Sequence, residues 1–141
     1  LMRCARVIED GGAWTGLRPD TITRTDNVID ITFDVPEGGA IEFMTDRLPR
    51  ATNYGFFYGD SADSAVIQAV EIIADDALRI TLSNSPTGAN KVISYACDSG
   101  APEIVGRACE WGNLFVRSAD RSFVYLGRTL DHPCQIFRTA V

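Results

Sequence analysis

Lysine and histidine are almost missing from this sequence. Lys91 is the single lysine beside twelve arginines, and His132 is the single histidine. Nineteen acidic residues against thirteen basic ones leave a formal net charge of −6 and a pI near 4.6. No basic stripe gathers the arginines, so nucleic acid is excluded as a partner: its phosphates would be repelled. The four cysteines, Cys4, Cys97, Cys109 and Cys134, form no Cys-x-x-Cys pair, and His132 has no second histidine to join it. Zinc sites are built from such sets, so no metal site is expected. No cofactor is expected either. No run reaches the about 18 apolar residues of a spanning helix, which argues against membrane insertion. No charged-then-apolar leader opens the sequence as given. Residue 1 is Leu rather than Met, as in a processed product or a segment of something longer. Repeats, low-complexity tracts and a convincing amphipathic helix are also lacking.

What the chain has is alternation. In the stretch 27–36, Ile29, Ile31, Phe33 and Val35 share one face of an extended strand, and Val28, Asp30, Thr32 and Asp34 share the other. Period two is what a half-buried strand requires, because successive side chains point to opposite faces. Pro36 has no amide hydrogen for a ladder and marks the end. Ile41 and Phe43 share one face in 40–44 with Glu42 between them, and Leu78, Ile80 and Leu82 alternate with Arg79, Thr81 and Ser83 in 77–83. Residues 65–73 would pass for helix on propensity, but β-branched Val66, Val70 and Ile72 favour a strand paired with 77–83 through Ala74-Asp75-Asp76. Tyr54 to Tyr58, Lys91 to Ala96, Leu114 to Arg117, Ser122 to Leu126 and Gln135 to Thr139 add further strands. Turn signals separate them at Glu37-Gly38-Gly39, Gly59 to Ser64 and Ser85 to Gly88. The expected fold is a single all-β domain, an antiparallel sandwich or jelly roll of eight or nine short strands over 21–141, behind an irregular lead-in at 1–20. At 141 residues and 45% hydrophobic, the chain holds one domain with a real core.

Several residues carry alternatives. Cys97 and Cys109 flank the loop 98–108 and could be bridged across its base, a bond worth about 2–3 kcal/mol; two buried free thiols are the other reading. Trp14, Tyr54, Tyr58 and Trp111 could offer aromatic faces to a sugar beside Asp60 or Arg107, or simply pack in the core or at an edge. Asp60, Asp63 and the pair Asp75-Asp76 could supply oxygens to calcium, although no EF-hand spacing is present and acidic hairpin tips are usually just solvated. Gly59-Asp60-Ser61 with Asp131-His132-Pro133 looks like the nucleophile and acid–base blocks of SGNH hydrolases, a chemically sensible set for ester cleavage. Three features oppose it. The crossover helices of a parallel sheet are missing, Thr129 stands where the aspartate should precede the histidine by three, and Gly112-Asn113 runs into Leu114 rather than Asp. The plainer reading makes 59–64 an Asx-type turn and His132 a surface or loop-packing histidine.

Taken in order, several pieces resemble a C-terminal β-domain of phage and prophage tail-associated proteins, some of which carry an SGNH or sialate O-acetylesterase-like module upstream. The pieces are Leu17-Arg18-Pro19, 28–36, Tyr54-Gly55-Phe56, Val70-Glu71-Ile72, 78–82, Ile93-Ser94-Tyr95-Ala96, Gly112-Asn113-Leu114 with Arg117-Ser118, and 132–137. They cover nearly all of 17–141, and Gly-Asn-Leu and Cys-x-Ile-Phe are the more specific. The chain departs in inserting Phe115-Val116 before Arg117 and in carrying Cys97 and Cys109. The resemblance implies a non-catalytic module of the virion, homo-oligomeric within the assembly, whose contacts are other tail proteins or host-surface glycans. The first reading is a module for host-surface glycan recognition or attachment; the alternatives are a purely structural virion subunit or decoration domain docking on other virion proteins and, trailing, a small SGNH-like esterase.

Overall fold

A computed structural model describes residues 16–36, 39–46, 48–97, 112–117 and 131–141, and the backbone of 124–125 and 128–129. The fold is an all-β, sandwich-like arrangement of antiparallel sheets. The described strands are β1 (Arg18–Thr25), β2 (Val28–Asp34), β3 (Ile41–Phe43), β4 (Phe56–Gly59), β5 (Ile67–Ala74), β6 (Ala77–Leu82), β7 (Val92–Tyr95), β8 (Leu114–Val116), β9 (Val124–Tyr125), β10 (Arg128–Thr129), β11 (His132–Pro133) and β12 (Phe137–Ala140). Nine of them are three residues or longer, where the sequence pattern suggests eight or nine; the two-residue pieces are too short to carry a period.

One layer is the four-stranded sheet β1-β2-β6-β5. Its inner face is what the alternation dictates: Ile29, Ile31, Leu78, Ile80 and Leu82 are fully buried, and Phe33 nearly so. Each such side chain contributes on the order of 1.5–3 kcal/mol relative to exposure. Hairpin ends are two residues long. Thr25 pairs with Val28 around Asp26, whose φ of 53° an Asp side chain tolerates, and Ala74 pairs with Ala77 around Asp75-Asp76.

Opposite lie two three-stranded sheets, β11-β8-β3 and β12-β7-β4, with β9 and β10 paired as a ribbon. Ile41, Phe56, Ile93, Tyr95, Leu114, Val116 and Cys134 join the inner face of the larger sheet in one cluster, together with Leu17, Ala65 and Ala96. Two expectations need correcting. The first strand begins at Arg18, inside the stretch read as irregular lead-in, because Leu17 is buried in the core and Arg18 grips Asp34 at 2.8 Å. Tyr54 is not in a strand: it sits in a 3₁₀ turn, Thr52–Gly55, and β4 starts at Phe56.

Candidate functional site

Two polar junctions organise the described part of the molecule. The first closes the loop after β4. Asp60 Oδ1 accepts the amides of Ala62 (2.8 Å) and Ser64 (3.1 Å), the Asx-type turn expected from sequence. Its Oδ2 accepts the hydroxyls of Ser64 (2.5 Å) and Tyr58 (3.2 Å). The Ser64 hydroxyl lowers the Asp60 pKa to about 2, helped by the Ala62 and Ser64 amides, because each donor favours the charged form. Burial and the neighbouring Asp60 charge push Tyr58 up to about 12. Ser64 Oγ in turn accepts the amide of Thr87 at 2.9 Å, and Ser61 Oγ accepts that of Ala89 at 2.8 Å, so 60–64 is pinned to 84–91. Gly88 is required there, since a Cβ would fall on the Asp60 carboxylate.

The second junction is buried and joins distant segments. Asn113 is fully buried. Its Oδ1 accepts the Ala51 amide at 2.7 Å, and its Nδ2 donates to the carbonyls of Met44 (3.2 Å) and Pro49 (3.1 Å). Its main chain adds bonds to Met44 and Tyr54, so one residue gathers both ends of the segment 44–54. That segment finishes in three successive left-handed residues, Asn53, Tyr54 and Gly55, at φ 49°, 56° and 93°. An Asn side chain tolerates this conformation, but for Tyr it is strained, and the Asn113 bonds hold it. On either side of Asn113, Gly112 lets the Tyr95 ring approach where a Cβ would collide, and the Leu114 amide donates to Tyr95 Oη at 2.8 Å. Gly112-Asn113-Leu114 therefore reads as a set of three packing requirements. The signal was visible in sequence as a Gly-Asn pair before a strand; its partners were not.

The aromatic candidates fare differently from one another. One face of Tyr54 stacks on Phe43 at 3.8 Å between centroids, and the Arg50 guanidinium lies 4.4 Å from the ring centroid. Tyr58 packs against the core, with its hydroxyl committed to Asp60. Trp14 and Trp111 lie outside the described residues, as does Arg107. Cys97 is a half-buried free thiol, and Cys109, the other half of the bridge considered from sequence, lies outside the described residues. Cys134 is also free, its thiol pKa raised by burial.

The hydrolase-like set is spread over two sheets' worth of structure. Ser61 follows β4 and serves the turn, while His132 lies in β11. His132 is not a surface residue but 5% exposed, in register with Val116 and, across β8, Ile41, so it forms part of a buried cross-strand row. Among the described residues no group of three or more His, Cys, Asp or Glu is arranged to hold a metal ion. No helix among them is long and apolar enough to cross a membrane. Asp75 and Asp76, with Asp20, Asp34 and Phe33, line an open cleft of about 770 Å³ at one end of the large sheet. Comparison with protein families, with curated proteins and with solved structures finds no match to the chain.

Proposed function

We propose that this chain is a non-catalytic module of a bacteriophage tail-associated protein, seated in the virion against other tail proteins. The observation that carries this reading is the outer face of the four-stranded sheet. Its cross-strand rows run Thr25–Val28–Thr81–Ala69 and Thr23–Asp30–Arg79–Glu71. Short threonine and alanine side chains make that face flat. Its ionic features are Arg79, held bidentately by Asp30 at 2.8 and 2.9 Å, and Arg18, held by Asp34 at 2.8 Å. A flat face of ordered, short side chains suits contact with another protein surface better than enclosure of a small substrate. The non-catalytic part rests on the polar groups themselves: Asp60, Ser61, Ser64 and Asn113 are engaged in holding loops.

The test is a cross-linking experiment on assembled particles bearing Thr23→Cys, a solvent-facing position on β1, derivatised with a photo-reactive group. A neighbouring virion protein should be captured. Absence of the chain from purified particles, or ester hydrolysis by the chain that Ser61→Ala abolishes, would contradict the proposal.

Host-surface glycan recognition is the second reading, and the cleft favours it, because Asp20, Asp75 and Asp76 offer carboxylate acceptors to sugar hydroxyls. Binding on a glycan array that Asp75→Asn and Asp76→Asn together remove would move the assignment there.

A further inference from the structure

One exposed arginine is fixed in place from both sides. Asn113 Nδ2 donates to the Pro49 carbonyl and Asn113 Oδ1 accepts the Ala51 amide, so one fully buried side chain clamps the residues before and after Arg50. The Arg50 side chain is ordered as well. Phe43 covers one face of Tyr54, stacked at 3.8 Å and 7°, so the Arg50 guanidinium, 4.4 Å from the ring centroid, takes the other. The Tyr54 backbone is held too: its carbonyl accepts the Asn113 amide and its own amide donates to the Ala51 carbonyl, both at 3.0 Å. Arg50 is nevertheless exposed, and its charge is not matched within the described structure. Arg18, Arg79 and Arg117 each grip a carboxylate, in a chain with nineteen acidic residues to thirteen basic. Among the described residues Arg50 holds none, and its contact is the Tyr54 ring. A guanidinium carries five donors in a fixed fork that matches a carboxylate, and stacking uses its face rather than its edge.

We infer that Arg50 is a preformed seat for the carboxylate of an Asp or Glu side chain on a neighbouring protein, with Tyr54 and Asn113 as its positioning residues. Ordering a long side chain before contact removes an entropy cost otherwise met on binding. The occupant is protein rather than sugar because both faces of Tyr54 are taken, leaving no open ring for a sugar to stack on. Arginine and tyrosine are also among the residue types that dominate binding energy at protein interfaces. The inference rests on the reading that the chain sits against other proteins, and adds to it a contact made from the loop between β3 and β4.

Nuclear magnetic resonance titration of the 141-residue chain with the peptide acetyl-Gly-Glu-Gly-amide, at constant ionic strength, tests it. A single exposed pair is weak, so the peptide is taken to about 50 mM. The Arg50 Nε–Hε resonance and the Tyr54 ring protons should shift, while the Nε–Hε resonances of Arg18 and Arg79, already paired, stay still. Arg50→Gln should abolish the Tyr54 response, and Arg50→Lys, which lacks the fork, should cut it by more than about half. The comparison of Arg50 with Arg18 and Arg79 is made in the unmodified chain and needs no variant to fold. Equal shifts with acetyl-Gly-Gln-Gly-amide, equal shifts at Arg18, Arg79 and Arg50, or a silent Arg50 would overturn the inference. Sodium glucuronate moving the same resonances at lower concentration would also overturn it, assigning the site to an acidic sugar. None of these results changes what cross-linking at Thr23 reports about the chain's neighbours in particles.

Discussion

The two layers of this sandwich reach order by different means. In the four-stranded sheet, regular strands repeat one rule, apolar inward and polar outward, and neighbours in sequence are neighbours in space apart from the β2–β6 pairing. In the opposite layer the strands are two to four residues long, and what joins them is a small number of specific polar groups, above all Asn113 and the Tyr95 hydroxyl. A short strand buries too little apolar area to fix its own register. A buried amide with three satisfied partners can do so, since leaving those partners unpaired is costly. The first layer is specified by many weak, interchangeable contributions, the second by a few that are not interchangeable.

The largest expected effect breaks the first layer. Phe33→Asp places an unpaired charge at a 4% exposed position in the core, costing several kcal/mol, and the chain should show no cooperative thermal transition. Next comes the second layer's centre. Asn113→Ala strands the Ala51 amide and the Met44 and Pro49 carbonyls, so urea unfolding should show a loss of about 3 kcal/mol. Tyr95→Phe removes the acceptor for the Leu114 amide and the donor to the Leu114 carbonyl and should cost about 1–2 kcal/mol by the same measurement. By contrast, a polar-to-polar change on the outer face of the large sheet, such as Thr23→Ser, should alter stability by less than about 0.5 kcal/mol.

The smallest effect concerns the exposed Asp60 turn and is best read as a pH dependence. The folded-state pKa of Asp60, about 2, lies below its ordinary 3.8. Its contribution is therefore fully present above the ordinary value and is lost as pH falls through about 2. Tyr58 shifts the other way, from 10.0 to about 12. Its contribution is present below pH 10 and is lost as pH rises through about 12. Asp60→Asn should flatten the acid limb of a stability-against-pH curve and also lower Tyr58's pKa, which ultraviolet titration of the phenol reads independently.

The same contrast explains what could be read from sequence. Strands β2 and β6 were legible because alternation is a local signal, and β5 was legible from its β-branched residues and from Asp75-Asp76, which sets it in a hairpin with β6. The Asp60 turn was legible because an Asx turn is made by residues two to four apart. Tyr54 was misplaced into a strand because its left-handed backbone is imposed by Asn113, about sixty positions away in the chain. His132 was read as a surface or loop-packing residue because a lone histidine between Asp and Pro carries no local sign of the buried row it completes with Val116 and Ile41. Pairings between distant segments leave no periodicity to find.

The central claim is that Asn113 orders the short-stranded layer while the four-stranded sheet holds by its own pattern. Native-state amide exchange on Asn113→Ala tests it most directly. Protection should fall at Ala51 and Leu114, while Ile31 and Ile80 exchange only at the rate set by the lowered global stability. Equal loss of protection at all four amides, or none at Ala51, would contradict the claim.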